Sequence, residues 1–151
     1  MVRPVSTPGP VPMTSFAAAR LDPMDAESTV NEFIKRVVAG DLTGAAELVA
    51  DDLEYDNVPI GKNIGRDAFV KFLGAMTKGV DELVFETHRQ ACTGNVVMNE
   101  RTDKFRIGDT WIALPVAGVF EVDGDGRIAL WRDFFDMKMY TDQMAALSSG
   151  S

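Results

Sequence analysis

The stretch Asn95-Val96-Val97-Met98-Asn99-Glu100-Arg101-Thr102-Asp103-Lys104-Phe105-Arg106-Ile107 alternates with a period of two, the mark of a β-strand with two unlike faces. Met98, Glu100, Thr102, Lys104 and Arg106 form a face that water accepts. Val97, Asn99, Arg101, Asp103, Phe105 and Ile107 form the other, which is largely apolar yet carries an arginine and an aspartate two residues apart. An isolated charge is prohibitively costly to bury, so these two are expected to pair with each other or with further partners. An ion pair that only pins the strand would meet that need. Whether it does more depends on what other strands bring to the same face.

Working outward, the chain from residue 81 reads as continuous sheet. Strands are predicted at 82–92, 96–107, 110–122 and 127–137, with turns at Thr93-Gly94-Asn95, Gly108-Asp109 and Asp123-Gly124-Asp125-Gly126. The last turn lacks the other ligands and the terminal glutamate of a calcium loop, so it reads as a hairpin turn. Residues 111–120 are apolar on both faces, which predicts a central strand covered on each side, one side by another subunit.

Upstream, Asp22-Pro23 can open a helix whose Val30, Phe33, Ile34, Val37 and Val38 make one buried stripe, with Gly40 as its stop. Asp41 caps a short helix with Leu42, Ala45, Ala46 and Val49 inward. Residues 53–59 return to a period of two, placing Leu53, Tyr55, Asn57 and Pro59 on one face. Residues 61–65 read as loop. A third helix follows with Phe69, Phe72, Leu73 and Met76 as its stripe, and a last helix spans about 139–147. Residues 1–21, with Pro4, Pro8, Pro10 and Pro12, are expected to be a disordered extension. Residues 22–147 are expected to form one domain, and 148–151 a flexible tail. The expected class is α+β: a curved, mixed but mostly antiparallel sheet, with helices on its concave face closing a cone-shaped pocket.

Composition narrows the function. A net charge of −8 without a basic cluster argues against nucleic acid or an anionic membrane as partner. The apolar run 111–120 is too short to span a bilayer, and residues 1–21 show no continuous apolar segment of the secretory kind, so a cytoplasmic location is expected. The single cysteine, Cys92, excludes an intrachain disulfide and a cysteine-based zinc cluster. The single histidine, His88, argues against a serine–histidine hydrolase. Carboxylates, Arg, Tyr and Asn remain to do chemistry.

The last strand supplies the partner. In Leu130-Trp131-Arg132-Asp133-Phe134-Phe135-Asp136, the residues Trp131, Asp133 and Phe135 share a face. If it meets the Arg101 face, one cavity holds Asp103, Asp133 and Arg101, with Tyr55 and Asn57 near its lip. Two carboxylates in an apolar pocket can be pushed to different pKa values, and an arginine fork can hold both. Such a pair suits push–pull chemistry, one carboxylate taking a proton from water while the other gives one to a leaving oxygen.

The segments Tyr55-Asp56-Asn57-Val58-Pro59, Glu100-Arg101-Thr102-Asp103 and Trp131-Arg132-Asp133-Phe134-Phe135-Asp136 together resemble the limonene-1,2-epoxide hydrolase family, over about residues 25–140. The resemblance implies a nuclear transport factor 2-like (cystatin-like) fold shared with polyketide cyclases. It implies Asp133 as the base that activates water, Tyr55 and Asn57 as holders of that water, Asp103 as the acid that protonates the epoxide oxygen, and Arg101 as the bridge between the aspartates. The substrate implied is a small apolar epoxide, cyclic terpene-like or lipid, bound against Trp131, Phe135, Phe105, Leu114 and Val116. No metal or organic cofactor is implied, and a homodimer is expected. A polyketide cyclase or ketosteroid isomerase-type enzyme on the same scaffold is one alternative, and a non-catalytic apolar-ligand binder is another.

Overall fold

The computed structural model describes residues 25–149, so the expected disordered extension and the Asp22-Pro23 helix start lie outside the described residues. The chain runs α1 (Ala26–Val38), α2 (Leu42–Glu47), β1 (Val49–Asn57), β2 (Gly61–Ile64), α3 (Arg66–Met76), β3 (Glu82–Thr93), β4 (Val96–Ile107), β5 (Thr110–Val122), β6 (Ile128–Phe134) and α4 (Met137–Ser149). The strands form one six-stranded sheet in the order β2-β1-β6-β5-β4-β3. The β3–β4 and β4–β5 hairpins turn at Gly94 and Gly108, whose φ values of 58° and 60° suit glycine. β1 re-enters beside β6 in the one parallel pairing, which makes an otherwise antiparallel sheet mixed.

The core forms where α1 lies across the sheet. Val30, Phe33 and Val37, spaced to share one helical face, are buried against Val97, Phe120, Trp131 and Leu53. The Phe33 ring stands edge-on to Trp131 at 5.2 Å, and Trp131 stacks between Tyr55 at 4.6 Å and Phe120 at 5.7 Å. This aromatic block is the floor on which the polar site rests.

Local differences from the sequence reading have tertiary causes. Asp25, whose carboxylate accepts from Ser28 N at 2.8 Å, caps α1. Val49 opens β1 rather than closing α2, because the buried sheet interior gives its branched side chain a better surface than a two-turn helix does. Residues 61–64 form a strand rather than a loop, since they pair with the free edge of β1. β6 ends at Phe134 instead of 137, and the chain turns into α4, which reaches Ser149 in the stretch expected to be loose. β5 loses its β6 partner beyond Ala117. There the Gln143 side-chain amide of α4 takes over, accepting from Ala113 N at 3.1 Å and donating to Ala113 O at 3.0 Å. β5 is central, as predicted, but among the described residues only its inward face is covered: Trp111 is 45% exposed, with Met98 and Phe134 on the neighbouring strands similarly open. No helix among the described residues is long and apolar enough to cross a membrane.

Candidate active site

Alternation on β4 turns Arg101 and Asp103 inward, and alternation on β6 does the same for Trp131 and Asp133. β5 lies between these strands. Arg101 must therefore reach across it, and it does. Its Nε donates to Asp103 Oδ1 and its Nη2 to Asp103 Oδ2, both at 2.9 Å, while Nη2 also donates to Asp133 Oδ2 at 2.9 Å. The crossing is possible because the intervening residue is Gly118. A Cβ there would overlap Arg101 Nη1 and lie 2.9 Å from Asn99 Oδ1 and Asp133 Oδ1. The Phe85 ring of β3 lies 5.0 Å from the Arg101 Cζ, a cation–π contact.

Asp133 is buried, and its Oδ1 accepts from the Trp131 indole N–H at 2.8 Å. Trp131, expected to touch substrate, does line the cavity, but its N–H is committed to Asp133. Burial pushes the Asp133 carboxyl up to about 6. Arg101 opposes that rise and Asp103 adds to it. Burial also raises Asp103, against the pull of Arg101. The Arg101 charge is itself disfavoured by burial, yet Asp133 and Asp103 together outweigh this and hold it protonated. Burial likewise drives the Tyr55 phenol well above its ordinary range, so the hydroxyl keeps its proton.

The parallel register of β1 with β6 sets Asn57 beside Asp133 and Tyr55 beside Trp131. Both are deeply placed, at 4% and 2% exposure, rather than at the lip as the sequence suggested. The cause is β2 and α3, which cover that end of β1. Asn57 Nδ2 is buried without a hydrogen-bond partner among the described residues. An unmet buried donor costs about 1–3 kcal/mol, which a guest in the cavity can offset.

One cavity brings Tyr55, Asn57, Asp103 and Asp133 together with Phe105, Leu114, Val116, Trp131 and Phe135, so every predicted site residue except Arg101 lines it. Arg101 lies behind the carboxylates. Sequence reasoning missed Leu83 and Phe85 of β3, Leu73 and Met76 of α3, and Tyr140 of α4 as walls. Leu73 and Met76 were legible only as core stripe. Arg132, which the alternation assigns to the opposite face, bonds Asp56 and Glu54 at 2.9 and 2.6 Å there. No group of three or more His, Cys, Asp or Glu converges as a metal site would need among the described residues.

Residues 24–145 match the model of the limonene-1,2-epoxide hydrolase catalytic domain. The chain is 38% identical over 108 residues to epoxide hydrolase EphG of Mycobacterium tuberculosis, a match spanning 72% of this chain and 71% of that one. A solved structure described as an M. tuberculosis LEH-like epoxide hydrolase superposes with a TM-score of 0.69 at 35% identity, covering 83% of this chain and 96% of its own. A putative SnoaL-like polyketide cyclase from Shewanella denitrificans superposes with a TM-score of 0.73 at 20% identity over 80% and 97%, which speaks for the fold alone. The chain belongs to the limonene-1,2-epoxide hydrolase family.

Proposed function

We propose that the domain adds water to an apolar epoxide, cyclic terpene-like or lipid, to give a vicinal diol in one step. Asp133 is the base, Asp103 the acid, Arg101 the bridge, and Tyr55 and Asn57 the holders of the attacking water. The observation that carries this reading is the buried guanidinium shared by two carboxyls, Asp133 buried and Asp103 half-buried, with Asn57 beside only Asp133. Both carboxyls are pushed up by burial and both accept N–H donors, so on this reading their roles are drawn from their neighbours. Water held by Tyr55 and Asn57 meets Asp133. The epoxide oxygen, which leaves poorly as a bare alkoxide, meets Asp103 further along the cavity. As the water oxygen bonds to carbon and the carbon–oxygen bond breaks, Asp133 gains one proton and Asp103 loses one, so the pair as a whole keeps its proton count. Fixing the water relative to the ring supplies the orientation that a weak nucleophile needs. The apolar walls formed by Leu73, Leu83, Phe105, Leu114 and Phe135 favour a hydrocarbon skeleton. Two carboxyls would be a poor lining for a simple carrier of apolar ligands.

Incubation with a panel of apolar epoxides, scored for diol by chiral chromatography, tests the activity. A single turnover in ¹⁸O-labelled water with enzyme in excess then tests the route. Direct attack places the label in the first diol formed, with inversion at the attacked carbon. Unlabelled diol, with ¹⁸O in a peptide containing Asp133 or Asp103, would show an ester intermediate instead.

Two further features belong to this reading. A homodimer would cover the open outer face of β5, where Met98, Trp111 and Phe134 are 55%, 45% and 47% exposed. Sedimentation at micromolar concentration should give twice the chain mass, and a monomer would refute the dimer. A cytoplasmic setting suits a chain whose single cysteine, Cys92, is free and exposed.

A further inference from the structure

Across the strands, a single row of the sheet runs Asn57, Asp133, Gly118, Asn99, Gln90, one residue from each of β1, β6, β5, β4 and β3. Gly118 is the gap through which the guanidinium passes. On the far side of the gap, Asn99 is 5% exposed, and its Oδ1 accepts from Arg101 Nη1 at 2.8 Å. Its Nδ2 donates to Gln90 Oε1 at 3.2 Å, and Gln90 Nε2 donates to Glu27 Oε1 and Asn31 Oδ1 of α1, each at 3.0 Å. The two ends of this chain fix its polarity. A guanidinium can only donate and a carboxylate can only accept, so each amide between them has one permitted orientation.

Gln90 reaches this face only because β3 is bulged. Thr87 pairs with Arg101 while Arg89 pairs with Glu100, which leaves His88 as an extra residue and inverts the alternation after it. Phe85, before the bulge, and Gln90, after it, thereby serve the same arginine from one strand. The left-over freedom of Arg101 explains what the arrangement is for. Asp103 lies two residues away on the same strand and already takes Nε and part of Nη2. A guanidinium held only there could swing about its stem and let go of Asp133. A fixed acceptor on Nη1 opposes that swing.

We propose that Asn99 is a positioning residue, holding Nη1 of Arg101 so that Nε and Nη2 stay aimed at Asp103 and Asp133, with Gln90 and α1 fixing the Asn99 amide in turn. The role rests on the reading of the aspartate pair given above. Asn99 does not line the cavity, so it acts through Arg101 alone. The charged and titratable groups facing Asp133 are Arg101 and Asp103 from β4 and Tyr55 from β1; β5 contributes none, and α4 brings Tyr140 to the cavity wall.

The test substitutes Asn99→Leu, which removes the acceptor at nearly constant volume, and Gln90→Ala, a change at a half-buried position that is expected to fold even if the first is not. Diol formation is measured against pH, and the aspartate carboxyls are titrated by ¹³C NMR without substrate. For Asn99→Leu, kcat is expected to fall roughly ten- to a hundred-fold with misplacement of the pair. KM should change by no more than about two-fold, since substrate contacts are untouched. The Asp133 titration and the acid limb of kcat should both move to higher pH, because ionised Asp133 loses part of its hold on Arg101. Gln90→Ala should shift both in the same direction by less. A lower melting temperature with unchanged titration and unchanged kcat per folded molecule would make Asn99 a packing residue and overturn the proposal. If instead Asp103→Asn and Asp133→Asn kept full turnover, the reaction reading would fail, and the carboxyl titration would still decide whether Asn99 holds Arg101.

Discussion

Asp133→Asn and Asp103→Asn are each expected to lower diol formation by about 10²–10⁴-fold, the usual contribution of a positioned acid or base. The first removes the group that accepts the proton of water, and the second removes the group that supplies one to the epoxide oxygen. Combined, they should cost much less than the product of the single losses, because each is idle without the other. The wild-type rate should fall on acidification through about pH 6 as Asp133 takes up a proton and can no longer act as a base. The same titration appears in stability, with a definite sign. A carboxyl raised from 3.8 to about 6 binds its proton more tightly in the folded chain than in the unfolded one. Its contribution to stability is therefore fully present below the unfolded value and is lost as pH rises to about 6, amounting to about 3 kcal/mol. Denaturation measured between pH 4 and 7 should show this loss in the wild type, and Asp133→Asn should lack it. Near-normal turnover by either variant, at equal folded concentration, would remove that aspartate from the mechanism.

Arg101→Ala is expected to damage the fold as well as the reaction. Arg101 is 1% exposed and donates to Asn99, Asp103 and Asp133 at once. Breaking a buried ion pair from one side leaves uncompensated charge and typically costs about 3–5 kcal/mol. The loss should be smallest in acid, where both carboxyls can neutralise themselves, and should grow as pH rises and they are forced to ionise without a cation. Thermal melts at pH 5 and pH 8 would read this divergence. Arg101→Lys separates charge from shape: an ammonium keeps the positive charge but has no planar fork to span both carboxylates. It should recover much of the stability while remaining poorly active. A melting temperature for Arg101→Ala equal to that of the wild type at both pH values would mean that the bridge does not hold the site together.

On β4 and β6 alternation was enough to determine which side chains face inward. On β4 it separates Arg101 and Asp103 from Glu100 and Lys104, and on β6 it separates Asp133 from Arg132, because a strand has only two faces and only one of them can reach the core. The helical stripe of Val30, Phe33 and Val37 was legible for the same reason, the periodicity of burial being a local property of the chain. Tertiary structure alone decided distances across strands. That Arg101 reaches Asp133 depends on β5 standing between them with Gly118 at the crossing, and nothing local to any of these residues records that register. The parallel return of β1 beside β6 is a long-range pairing, so the depth of Tyr55 and Asn57 was misjudged from their place at a strand end. Residues 61–64 alternate too weakly to announce a strand and become one only against the β1 edge. The bulge at His88 is the sharpest case. By strict alternation Gln90 belongs on the opposite face from Phe85, and only an extra residue in the ladder, visible once β4 is laid against β3, turns both toward the same arginine.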